Sequence, residues 1–270
     1  MNLLSLDVVL GAVAGMLFFS DLLNTSTPFE VYTLLGIAVW CIYSIDHLLD
    51  SRKIKGDKEV SARHSFHQKY FKSILLAVAL FVFLGVLLLV FSESTKSLRM
   101  PGGTLAGVVV IWFFILHKTS LQSSWLKEVS TAFVYVAGIS LAPIVLSGKE
   151  NLDHFFWVFV TVYFFLALLN LLILSYLDEG EDKELGFGSV LTVLSRENLK
   201  LLIILIGFFL VVAGLGLLFF FPSYYSIYAS VFMLIAAFHL LEFFRKGQKK
   251  ETTRIKLEAS FLLPFILLAF

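Results

Sequence analysis

Residues 155–177 read Phe-Phe-Trp-Val-Phe-Val-Thr-Val-Tyr-Phe-Phe-Leu-Ala-Leu-Leu-Asn-Leu-Leu-Ile-Leu-Ser-Tyr-Leu. No charged side chain interrupts the run. At about 1.5 Å of rise per residue, a helix of this length crosses the roughly 30 Å hydrocarbon core of a bilayer. Similar apolar blocks lie to either side, at residues 3–24, 28–49, 199–221 and 223–244. Weaker ones occupy 74–91, 102–117 and 129–146, and the chain ends on 257–270, which is short for a span. The expectation is an all-α, polytopic membrane protein of nine transmembrane helices, folded as a single domain over residues 1–270.

Composition agrees. Hydrophobic residues make up 59% of the chain and charged residues only 15%, well away from the roughly half-apolar, quarter-charged mix of soluble domains. A packed water-soluble core cannot absorb that excess, so membrane lipid is the expected surrounding and no nucleic-acid partner is expected. No Lys or Arg precedes the first block and no small-residue cleavage site follows it, so it reads as a retained span rather than a signal peptide. The single cysteine, Cys41, lies inside a span and has no partner for a disulfide or a cysteine-based metal site.

The charges sort by loop. Of the 21 Lys and Arg residues, only Lys96, Arg99 and Lys149 fall outside the loops joining spans 2–3, 4–5, 6–7 and 8–9. By the positive-inside rule those basic loops are cytoplasmic, with the N-terminus inside and, for nine spans, the C-terminus outside. A multi-pass protein of the plasma or inner membrane is the expected location. The cluster from Arg245 to Lys256 reads as a topology signal.

Carboxylates at the ends of spans carry the chemical signal. Span 2 ends Tyr43-Ser44-Ile45-Asp46-His47-Leu48-Leu49-Asp50, and span 6 ends Leu174-Ser175-Tyr176-Leu177-Asp178-Glu179-Gly180-Glu181-Asp182. Each contains Asp-x-x-x-Asp, and residues four apart share one helix face. Two carboxylates there repel each other, and a helix C-terminus disfavours an anion by about 0.3–1 kcal/mol, so a cation should compensate. Both pairs emerge on the same side of the membrane. Four carboxylates at one boundary suit Mg²⁺, which binds through a few carboxylates together with substrate phosphate oxygens. The substrate expected on this ground is a diphosphate, its remaining charge met by basic residues among Arg52, Arg63, Lys118, Lys127 and Lys183. His64 and His67 have no third ligand nearby and read as part of a basic interfacial loop.

These features resemble the UbiA superfamily of intramembrane prenyltransferases, over nearly the whole chain. Asp178-Glu179-Gly180-Glu181-Asp182-Lys183, followed by Gly188-Ser189-Val190-Leu191-Thr192-Val193, is similar to that family's second aspartate motif and its trailing segment. The first motif departs from the family pattern: Asp46 stands for an Asn, His47 for the first Asp, Asp50 for the second, and Ile54, which supplies no oxygen, for the last. Ser61-Ala62-Arg63-His64, Leu116-His117-Lys118 and Leu126-Lys127-Glu128 are weaker matches to the family's basic segments.

The resemblance implies a UbiA-like bundle in which Asp46, Asp50, Asp178 and Asp182 hold Mg²⁺ on a prenyl diphosphate. The allylic C–O bond then ionises, and the cation is captured by a lipophilic acceptor entering from the bilayer. Tyr43, Asn170 and Tyr176 are expected to face the motifs, and the 29 Phe, 9 Tyr and 4 Trp are enough to line a chamber. Glu179 and Glu181 are expected to point elsewhere. Two other classes stay open: a relative that cyclises its prenyl substrate without a separate acceptor, and a non-enzymatic ion or lipid transporter or binding protein.

Overall fold

The computed structural model describes residues 2–53, 62–119, 125–148, 152–185, 188–247 and 249–270, with backbone alone for a few of them, Lys118 and Asp182 included. Ile54, Asp57, Ser61 and Lys149 lie outside the described residues. The described chain is helical, with no strand: α1 (Leu6–Leu22), α2 (Phe29–Lys53), α3 (Ala62–Lys69), α4 (Phe71–Phe91), α5 (Arg99–Lys118), α6 (Leu126–Ser147), α7 (His154–Leu185), α8 (Arg196–Phe220), α9 (Ser226–Phe244) and α10 (Lys250–Ser260). Short 3₁₀ stretches precede α5 (Glu93–Leu98) and close the chain (Leu263–Ala269).

Among the described residues, seven helical stretches are long and apolar enough to cross a membrane: α2, α4, Glu93–Leu116, α6, α7, α8 and α9. A membrane protein is the result, because backbone groups surrounded by lipid must find their partners within their own segment. The nine-span expectation differs at both ends of the chain. The first segment forms a helix of 17 residues. The last, 257–270, divides between the end of the polar helix α10 and a 3₁₀ stretch of 7 residues, at about 2 Å per residue too short to cross.

Helix α7 is central. Half of its most apolar window is buried, against 6% for Glu93–Leu116 at the periphery. It packs against α6, α8 and α9, while α1 packs against α2, α6 and α10. Between α1, α7 and α9 lies a cluster of aromatic rings: Phe18 meets Phe232 at 4.9 Å and Tyr228 at 5.4 Å, and Tyr163 meets Phe232 at 5.2 Å. Much of the aromatic content is therefore packed core. Apolar side chains of α4, α5 and α8, among them Leu76, Phe83, Val110, Phe208 and Phe219, stand exposed on the outside, as a lipid-facing surface requires.

Small residues set how closely helices approach. A Cβ on Gly214 of α8 would stand 2.9 Å from Met233 Cβ and 3.3 Å from its Cα on α9, so nothing flexible can give way. Gly214→Leu is expected to lower the unfolding temperature in detergent, at an overpacking cost of about 1–3 kcal/mol. Gly216→Leu, whose Cβ would meet nothing within 4 Å, serves as the control and should leave it within ~0.5 kcal/mol of wild type. Equal melting of the two variants would contradict this packing.

One end of the bundle gathers the charged segments. His47 of α2 meets Ser5 at 3.3 Å, Gln68 of α3 donates to the Ser51 carbonyl at 2.9 Å, and His64 of α3 meets Glu181 of α7 at 3.3 Å. Lys250 of α10 closes the group on Asp178 at 2.6 Å. At the other end Tyr228 donates to Asp21 at 2.7 Å and Tyr225 to Asp153 at 3.1 Å.

Candidate functional site

At the charged end a cavity of about 320 Å³ opens between α1, α2, α3, α5, α6, α7 and α10. Its lining combines two kinds of side chain. The polar kind comprises Asp46 and Asp50 of α2, Arg63 and His64 of α3, Lys127 and Glu128 of α6, Asp178 of α7, and Arg254 and Glu258 of α10. The apolar kind comprises Val109, Trp112 and Phe113 of α5, Val134 and Tyr135 of α6, and Phe261 just beyond α10.

Helical periodicity explains which motif residues reach it. Tyr43, Asp46 and Asp50 recur at intervals of three and four on α2, and all three line the cavity. Asn170 and Asp178, two turns apart on α7, line it as well. Asn170 is fixed by His239 of α9 at 3.3 Å. Gly188 and Ser189, in the segment trailing the second motif, reach the wall too. That segment is tied in by Glu128, which accepts from Val190 N–H at 3.1 Å and from the Ser175 hydroxyl at 3.0 Å.

Three expected residues lie elsewhere. Successive residues on a helix turn by about 100°, which sets Tyr176 and Lys183 roughly 140–160° from Asp178. Tyr176 accordingly packs on Phe243 and carries the Arg196 guanidinium 4.4 Å over its ring, and Lys183 pairs with Glu179 at 2.7 Å on the exposed side. Arg52 is exposed, with its guanidinium 4.9 Å from the Phe71 ring. None of the three is among the cavity-lining residues. The side chains of Lys118 and Asp182 lie outside the described ones. Glu179 does point away, toward Lys183 and Arg196. Glu181 does not: at i+3 it stays on the Asp178 side and shares Lys250 with it, at 2.7 Å.

The compensating cations come from an unexpected element. Asp178 is ion-paired by Arg254 and by Lys250, both on α10. The sequence treats residues 245–256 as a topology signal. The overlooked cue is the spacing of Lys250, Arg254 and Glu258, four residues apart and so on one face, just ahead of an apolar tail. Lys250 keeps its charge above the ordinary range, because the two carboxylates outweigh the burial that disfavours it. Arg63 is drawn down, first by burial and then by the facing Arg254, against the pull of Asp178, Glu258 and Glu181. The Nε atoms of Arg63 and Arg254 are buried with no acceptor among the described residues. Two guanidiniums lining one cavity, each with a buried and unused Nε–H, make a place for an anion.

Metal ligation is less developed. Among the described residues no group of three or more His, Cys, Asp and Glu side chains could hold a metal ion. Asp46 and Asp50, as a same-face pair on the cavity wall, suit a cation that takes its other oxygens from a bound phosphate. Asp178 is already engaged by two cations of the chain. No protein-family model, no curated protein and no solved structure matches this chain.

Proposed function

We propose that the protein is a membrane-embedded prenyltransferase that moves a prenyl group from a prenyl diphosphate to a lipophilic acceptor drawn from the bilayer. One observation carries this reading: a single cavity is lined both by three aspartates and two guanidiniums with unused donors and by aromatic and aliphatic side chains. That polarity matches an amphiphile with a diphosphate head and a hydrocarbon tail. Arg63, Arg254 and Lys127 meet the head. As the allylic C–O bond breaks, its electron pair leaves with the diphosphate, whose growing charge these cations stabilise. The allylic cation faces the rings of Tyr43, Trp112, Phe113 and Tyr135, away from bulk water. Bond formation to the acceptor then releases a proton.

Mg²⁺ is the cofactor of this reading; Asp46 and Asp50 would hold it beside the diphosphate, and it would supply Lewis-acid assistance to the leaving group. The UbiA-like bundle belongs to the same proposal. It requires α1 to cross as an eighth span, while the C-terminal segment, whose 3₁₀ stretch is too short to cross, enters the bundle without completing a ninth. The motifs and the N-terminus then face the cytoplasm, where the basic loops hold them. Reporters fused after Asp57 or Lys183 should read cytoplasmic, and one fused at Lys149 external; a cytoplasmic signal at Lys149 would break this orientation.

A second reading, a non-enzymatic binding or transport protein, draws on the pairing of Asp178 with Arg254 and Lys250, which leaves the second motif without a ready metal site. Diphosphate release separates the readings. The purified protein is incubated with geranyl, farnesyl or geranylgeranyl diphosphate and Mg²⁺, with and without lipid acceptors. Acceptor-dependent release supports the transferase, and acceptor-independent release a cyclising relative. No release from any of the three sinks the enzymatic reading.

A further inference from the structure

Five carboxyl side chains line the cavity. Asp46 and Asp50 form the same-face pair on α2, Asp178 is ion-paired by Lys250 and Arg254, and Glu258 meets Asp7 of α1 beside Arg254. Glu128, in the first turn of α6, differs from all four. It is 5% exposed and forms no ion pair with a described Lys, Arg or His. Oε1 accepts from the Val190 N–H at 3.1 Å and from the Ser175 hydroxyl at 3.0 Å; Oε2 is buried and receives no hydrogen bond from a described residue.

Holding the fold together accounts for the first oxygen only. The tie from α6 to α7 and to the segment after it needs one acceptor, which a glutamine carbonyl supplies equally well. The dipole of α6 favours an anion in its first turn, yet it leaves the Oε2 lone pairs unfilled. A buried acceptor without a donor is costly, so a group that enters the cavity bearing a donor is held there. Thr131, Ala132 and Tyr135, three, four and seven residues beyond Glu128, line the cavity as well, so one stripe of α6 carries both the carboxyl and part of the apolar lining. Arg63, Lys127 and Arg254 line the same cavity and repel a cationic ligand, which leaves a neutral donor.

We propose that Glu128 recognises a neutral lipophilic compound through its hydroxyl group, which donates a hydrogen bond to Oε2. A carboxylate accepts and does not donate, so Oε2 admits a hydroxyl and turns away a carbonyl or ether oxygen. This rests on the reading of the cavity as a ligand chamber and specifies its second occupant. Diphosphate oxygens are directed to the guanidiniums of Arg63 and Arg254, and the lipophilic acceptor is a hydroxyl-bearing one held by α6.

The anchored oxygen provides the test. In E128Q the amide carbonyl takes the place of Oε1, because the Val190 N–H and the Ser175 hydroxyl donate there, and the amide NH₂ takes the place of Oε2. The substitution thus exchanges an acceptor for a donor while keeping both ties of the fold. The probes are 9-fluorenol, 9-fluorenone and fluorene: one ring skeleton with a hydroxyl, with a carbonyl that only accepts, and with no oxygen. Their binding to the full chain in detergent is measured calorimetrically at neutral pH, without diphosphate or Mg²⁺. Wild type should bind fluorenol roughly 5–10-fold more tightly than fluorenone. In E128Q that ratio should fall to about one, and fluorenone should gain at least ~3-fold over fluorene relative to wild type, since its oxygen now meets an N–H. Equal affinity of wild type for fluorenol and fluorenone, or a fluorenol preference unchanged in E128Q, would overturn the proposal. Loss of the preference in E128Q without any gain by fluorenone would mark a general disturbance of the chamber and overturn it too. Should E128Q fail to fold, the wild-type order of the three probes decides the matter. Because no turnover is read, failure here leaves the diphosphate-release test standing, and failure of that test leaves this one standing.

Discussion

Arg254→Gln is expected to abolish diphosphate release, by at least ~100-fold, and to lower the unfolding temperature at the same time. The guanidinium is 12% exposed and bonds Asp178 while one buried N–H faces the cavity unused. Its removal subtracts a charge from the head-group end and leaves Asp178 half-compensated. Breaking a buried ion pair costs about 3–5 kcal/mol; Lys250, still 2.6 Å from the carboxylate, and the 20% exposure of Asp178 reduce this to about 1–3 kcal/mol. The double variant with Asp178→Asn isolates the cost to stability: it removes the stranded carboxylate and should recover most of the lost melting temperature. Wild-type release by Arg254→Gln alone would exclude α10 from the site.

A comparably large effect is expected on α2. Asp46→Asn and Asp50→Asn change charge but hardly shape, so folding should persist while diphosphate release falls by at least ~100-fold for each. Asp178→Asn and Asp182→Asn should act likewise. Glu179→Gln is the contrasting case: its carboxylate is held by Lys183 and Arg196 on the side away from the cavity, and turnover should stay within about threefold of wild type. Glu181→Gln should fall between, because Glu181 shares Lys250 with Asp178 and meets His64 at 3.3 Å. If all four Asp→Asn variants keep wild-type turnover, the carboxylates do not serve the head group and the prenyltransferase reading fails.

The membrane class was legible in the runs themselves. Residues 155–177 must be helical in lipid whatever surrounds them, since no other arrangement of a lone segment satisfies its backbone. The i, i+4 spacing likewise decided that Tyr43, Asp46 and Asp50 share a face. The same reasoning could have set Tyr176 and Lys183 aside, for their angle from Asp178 follows from the 100° turn per residue. It could not tell which face of α7 meets the cavity. That depends on α6, α8 and α9, which approach as closely as Gly214 and its neighbours allow.

Sequence alone, then, determined a chain of membrane-length apolar helices, a clustering of basic residues in alternate loops and two acidic helix ends, because each follows from local composition and period. Tertiary structure alone decided what compensates the second acidic end. Asp178 and Arg254 are far apart in the chain and no periodicity relates them, so their pairing arises only when α10 turns back into the bundle beside α1, α7 and α9. The same fold brings Glu258 against Asp7. A charged cluster that reads locally as a topology signal becomes part of the cavity because a carboxylate half-buried among helices needs its counter-charge within a few ångströms, whichever segment supplies it.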